Sequence, residues 1–98
     1  MLHIINKSPF DRPTLDTVLR VAQGGAALLI EDAVVAATRG CIAANKVVEL
    51  AKKMPVYVLG PDLEARGLAD RVIEGVQVVG YDGFVNLVAE HRNCQSWL

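Results

Sequence analysis

The chain is poor in the residues that thiol, metal and nucleotide chemistry require. Its 98 residues contain two cysteines, Cys41 and Cys94, far apart and not arranged as Cys-x-x-Cys. That usage fits a reducing cytoplasm better than a disulfide scaffold. The two cysteines and two histidines are not at zinc spacing, so no metal site is expected. Neither a Gly-x-Gly-x-x-Gly fingerprint nor a phosphate loop occurs, so no nucleotide cofactor is expected. No run of Lys and Arg appears and the formal net charge is −1, which argues against direct nucleic-acid binding. No apolar run approaches the ~18 residues a membrane-spanning helix needs. The first residues, Leu2-His3-Ile4-Ile5, read straight into a strand, without a signal-peptide pattern. Linkers, low-complexity segments and internal repeats are absent too. The expectation is one domain over residues 1–98.

Apolar residues, in contrast, are plentiful. They make up 52% of the chain. A domain this short has little interior, so part of that surface is expected to face a partner in an oligomer. The most informative stretch is Leu28-Leu29-Ile30-Glu31-Asp32-Ala33-Val34-Val35-Ala36-Ala37. A strand apolar at every position is buried on both faces, as in a parallel sheet between helices. Ligands of such sheets collect at the carboxyl ends of the strands, where Glu31 and Asp32 fall.

The rest of the chain alternates in the same way. Strands are expected near Leu2–Asn6, Ala26–Ile30, Val56–Leu59 and Val76–Val79. Between the first two lies a helix with Leu15, Val18, Leu19 and Ala22 on one face, capped by Asp11 and ended by Gly24-Gly25. Asp32 can cap a short helix through Thr38, and a second helix, about Ala44–Lys53, turns Val47, Val48 and Ala51 inward. Gly60-Pro61-Asp62 opens another short helix, ended by Gly67. Asp82 can cap the last helix, with Phe84, Leu87, Val88 and His91 inward. Short loops and this alternation predict a small Rossmann-like α/β fold with a mainly parallel sheet.

Several residues invite a chemical reading beside a plainer one. Glu31 and Asp32 can serve a reacting group at the sheet edge, or simply favour a helix N-terminus. Gly60, Pro61 and Asp62 end the next strand on that edge, where a nucleophile would be well placed and none is present. Cys41 precedes a helix, with Arg39 and Lys46 near in sequence to favour its thiolate. The alternative is a small packed residue. Cys94 reads as a surface or interface residue. His3 and His91 read as hydrogen-bonded core histidines. The apolar pair Trp97-Leu98 is expected to dock on the body or on a partner.

Five segments taken together resemble the TusB/DsrH family. They are Leu2-His3 with Asn6-Lys7-Ser8-Pro9-Phe10; Leu28 through Ala37; Tyr57-Val58-Leu59-Gly60-Pro61-Asp62-Leu63-Glu64-Ala65-Arg66-Gly67-Leu68; Tyr81-Asp82-Gly83-Phe84-Val85; and Trp97-Leu98. Their order and spacing cover essentially the whole chain, and the DsrH branch of sulfur-oxidising bacteria looks closest. The resemblance implies a Rossmann-like subunit of a cytoplasmic sulfur-relay complex. Family members form a heterohexamer with TusC/DsrF and TusD/DsrE sister subunits and pass persulfide sulfur to a TusE/DsrC acceptor. The sulfur serves tRNA wobble-uridine 2-thiolation in one branch and sulfur oxidation in the other. In TusD/DsrE the sulfur-carrying cysteine ends the third strand. Here that stretch is Leu59-Gly60-Pro61, and the first-helix cysteine of some DsrH members is matched by Val18. The resemblance therefore implies an assembly subunit without a sulfur carrier of its own, and Glu31, Asp32, Gly60, Pro61, Asp62 and Trp97 as sheet-edge or interface groups. Two alternatives stand beside it: a persulfide carrier using Cys41, and a stand-alone ligand-binding module using Glu31 and Asp32.

Overall fold

A computed structural model describes residues 1–22 and 24–97 of the chain. Five short strands form one sheet, all neighbours parallel: β1 (Leu2–Ile5), β2 (Ala26–Leu29), β3 (Val56–Leu59), β4 (Val76–Val79) and β5 (Cys94–Trp97). Their order is β4-β3-β2-β1-β5. Ala26–Leu29 is buried at all four positions, as a run apolar at every residue requires. Four α-helices connect the strands: α1 (Thr14–Val21), α2 (Ala44–Lys53), α3 (Gly60–Ala65) and α4 (Tyr81–Glu90). A 3-10 helix, Glu31–Ala37, leaves β2 directly.

The two faces of the sheet are unequally covered. On the first, Ile5, Ala27, Leu29, Val56 and Val58 pack with Leu15 and Val18 of α1, Val47 and Leu50 of α2, and the small apolar residues of the 3-10 helix. The second face holds Leu2, Ala26 and Leu28, and the helix residue buried with them is Leu87 of α4. Chain order explains this. The connections from β1 to β4 all step one way along the sheet, whereas α4 returns the chain across it to β5. Successive right-handed crossovers then place α4 opposite the others.

Strand β5 was not expected from the sequence. Cys94, Gln95 and Ser96 are exposed and lack strand-like alternation of polarity, so the tail reads as a loop. Pairing with β1, Ile5 opposite Trp97, makes it a strand. Leu98 of the expected apolar terminus lies outside the described residues.

Three expected caps are corrected. Helix α1 starts at Thr14 after Pro13, beyond reach of Asp11, whose N–H closes a turn onto the Ser8 carbonyl at 3.0 Å. The residue before the 3-10 helix is Ile30, whose carbonyl accepts from the Ala33 N–H at 3.0 Å, and Asp32 makes no capping bond. Helix α4 starts at Tyr81 after Gly80, so Asp82 lies in its first turn, favouring the helix dipole without capping. Two inward assignments also change. Val48 and Val88 are about 40% exposed, since Leu50 and Leu87 take the central inward positions. His91 follows α4 and turns its Nδ1 back to the Leu87 carbonyl at 2.8 Å.

Candidate functional site

The carboxyl edge of the sheet gathers Glu31 and Asp32 after β2 with Gly60, Pro61 and Asp62 after β3. The expected acids are thus neighbours, and what holds them is a fourth group. Asp62 accepts the Glu31 backbone N–H at 2.6 Å. Arg66, one turn along at the end of α3, donates to the Asp32 carboxylate at 2.8 Å and to the Asp62 carbonyl at 3.2 Å. The cluster is a clasp between two strand ends, made of two carboxylates and one guanidinium, and it keeps a net negative charge.

Glu31 is held in a backbone conformation its side chain disfavours. Its φ is +51°, left-handed, and it is the one non-glycine residue so placed among the described residues. Such a residue costs about 1–2 kcal/mol relative to the right-handed form. Asp62 on its N–H and the buried run that follows hold it there. Strained residues cluster where a chain presents a group for use, and the Glu31 side chain is left exposed.

Gly60 occupies the position beside these acids where a nucleophile would stand. A Cβ added there would lie 3.1 Å from Val78 Cγ1 and 3.4 Å from the Val79 carbonyl oxygen. The Val78 side chain on the edge strand β4 crowds the position and would have to give by a few tenths of an ångström to admit a Cβ.

Trp97 ends β5 on the same sheet edge but lies beyond β1 from the clasp. Its Nε1–H donates to His3 Nδ1 at 3.2 Å, with the rings tilted by 37°. His3 is 6% exposed, a hydrogen-bonded core histidine. Burial lowers its pKa from the ordinary 6.5, the N-terminal ammonium adds to this, and a backbone hydrogen bond at Gly24 opposes it. Asn6, just past β1, was not singled out from the sequence. Its Oδ1 is buried with no hydrogen-bond partner among the described residues. A polar residue after a strand is too common to signal this.

Cys41 lies apart from the clasp, half-buried in a cavity of about 250 Å³. Arg39 lines the same cavity, as the sequence suggested. Lys46 does not: its ammonium is held by both oxygens of Asp16, at 2.8 and 2.9 Å. Arg71 takes its place, brought in from the segment before β4. Cys94 is exposed on β5. No grouping of three or more His, Cys, Asp or Glu suited to a metal ion occurs among the described residues.

Fold and edge define a class, a small all-parallel α/β domain whose strand ends carry acids and no nucleophile. Solved structures of the same shape include the crystal structure of the YchN protein from E. coli, TM-score 0.83 at 18% identity, covering 98% of this chain and 97% of that one. Another is a protein of unknown function from Methanobacterium thermoautotrophicum, TM-score 0.71 at 20% identity, covering 98% and 96%. Residues 7–94 match the family described as DsrH like protein. Protein TusB of Pectobacterium parmentieri is 39% identical over 98 residues, covering 99% of this chain and 100% of its own. Protein TusB of Buchnera aphidicola is 33% identical over 97 residues with the same coverage. The chain belongs to the TusB/DsrH family, the sulfur-relay subunits to which the five sequence segments pointed.

Proposed function

We propose that this chain is the non-catalytic assembly subunit of a sulfur-relay complex. It pairs with TusC/DsrF-like and TusD/DsrE-like sister subunits, and sulfur passes through the complex to a TusE/DsrC-like acceptor. The observation that carries this reading is Gly60 under Val78. The strand end where a sister carries its cysteine here has no thiol, and a side chain at Gly60 would crowd Val78. The clasp of Glu31, Asp32, Asp62 and Arg66 then shapes an edge to be docked rather than a site of bond making. Surface chemistry supports assembly. Tyr81, Val85 and Val88 form an exposed apolar stripe along α4, the helix that packs on the second sheet face. The compartment is the cytoplasm, in keeping with two unpaired cysteines and with no helix among the described residues long and apolar enough to cross a membrane. The end use is tRNA wobble-uridine 2-thiolation or sulfur oxidation, according to the acceptor. Co-expression with the two sisters tests the reading. A stable three-subunit complex is expected, and transfer that persists when this chain is omitted from an otherwise intact complex overturns it.

A second reading is favoured by one observation, the placement of Cys41 in a cavity with two arginines. There Cys41 carries the persulfide. Intact-mass measurement after a persulfide donor separates the readings: added sulfur on Cys41, lost in Cys41→Ser together with transfer, selects this one.

A further inference from the structure

The pairing that builds the Cys41 cavity also sets two like charges against each other. Thr38 and Val72 form an isolated antiparallel bridge. The Arg39 N–H donates to the Arg71 carbonyl at 2.7 Å, and the Ile73 N–H to the Ala37 carbonyl at 2.9 Å. Arg39 and Arg71 are therefore directly opposite across the pair, where Cβ atoms lie about 5 Å apart and like charges repel. Both residues contribute to the lining of the cavity, and no Asp or Glu does. Among the described residues the ion pairs use Lys46, Lys52 and Arg66, and none uses Arg39 or Arg71. The Arg39 guanidinium instead donates Nη2–H to the Asp70 carbonyl at 2.7 Å, which fixes its fork without neutralising it. Phe10, Val35 and Leu68 supply apolar walls.

We propose that this cavity is a binding site for a small tetrahedral oxyanion, held between Arg39 and Arg71 beside the Cys41 thiol. Guanidinium forks pair with such oxyanions through two parallel hydrogen bonds each. One anion would cancel the repulsion across the bridge. A volume of about 250 Å³ takes a small anion together with part of its water shell. The site is independent of the assembly role, so its failure would leave that reading untouched.

The two cysteines make the test internal to one sample. The full chain is alkylated with iodoacetamide, and modification is followed at Cys41 and Cys94 by peptide mass. Sulfate, with chloride and acetate as comparators at matched ionic strength, is the probe. Sulfate at twice its Kd slows alkylation of Cys41 about threefold by mass action and leaves Cys94, exposed on β5, unchanged. Arg71→Gln abolishes the protection. Should Arg71→Gln not fold, Arg71→Lys, which keeps the charge and loses the fork, weakens it instead. Equal slowing by chloride or acetate, protection of both cysteines alike, or undiminished protection in the Arg71 variants overturns the proposal.

Discussion

Glu31 and Asp62 share one backbone hydrogen bond, and the strain at Glu31 makes it matter more than the visible ion pair beside it. Asp62→Ala leaves the Glu31 N–H without its partner and is expected to destabilise by about 1–2 kcal/mol in denaturant unfolding. Arg66→Ala removes a bridge to a largely exposed Asp32 and is expected to cost less than about 1 kcal/mol. His3 carries a pH dependence with a definite sign. Its folded pKa lies below 6.5, so below that pH the unfolded chain binds more protons. Stability is full above about 6.5, declines as pH falls, and levels off once the folded His3 also protonates. A proton on Nδ1 also removes the acceptor for the Trp97 Nε1–H. Melting at about pH 7.5 and about pH 5.5 checks this: His3→Gln should lose less stability between them than the unmodified chain. At this scale the acids of the edge were legible because they interrupt an apolar run. The strain was not, because nothing in a glutamate announces a left-handed backbone. Arg66 escaped notice because a single cation on a helix carries no pattern.

Among the elements, four strands and the main helices follow from runs and spacing, and β5 does not. An edge strand with two polar central residues owes its existence to pairing with β1 and to Trp97 against His3. Trp97→Ala should therefore speed amide exchange in Cys94–Ser96 about tenfold or more, the factor that ~1.4 kcal/mol of local stability represents, while β2 keeps its protection. Glycines at element junctions separate by their surroundings. Gly25 has φ +86°, and an added Cβ would fall 1.9 Å from the Met1 carbonyl oxygen. Gly24 has φ +78° with open space around it. Gly25→Ala should thus destabilise well beyond Gly24→Ala, whose cost is the left-handed penalty of about 1–2 kcal/mol alone. Gly83 shows what the Tyr81-Asp82-Gly83-Phe84 segment is for: a Cβ there would approach Val79 Cβ to 2.8 Å, so its absence lets α4 lie close on β4. The misplaced caps share one cause. Acids near helix starts are as well placed for the dipole as for a cap, and only the backbone turn, set by Ser8, Ile30 and Gly80, decides between them.

For the molecule as a whole, the two faces of the sheet are covered unequally. One is sealed by its own helices. The other is covered by α4, whose outer stripe of Tyr81, Val85 and Val88 meets no part of this chain's core. The parallel sheet and its acid edge were legible because buried strands read as unbroken apolar runs. The arginine-lined cavity was not, since Arg39 and Arg71 are distant in sequence and meet only through the Thr38–Val72 bridge. The proposed role, shaping a complex without carrying its cargo, requires the chain whole and not its thiols. The decisive measurement is sulfur transfer to the acceptor thiol by the three-subunit complex assembled with a Cys41→Ser/Cys94→Ser chain. Transfer at the unmodified rate, lost when this chain is left out, is the expected result. Transfer abolished by the two substitutions in an intact complex, or undiminished without the chain, contradicts it.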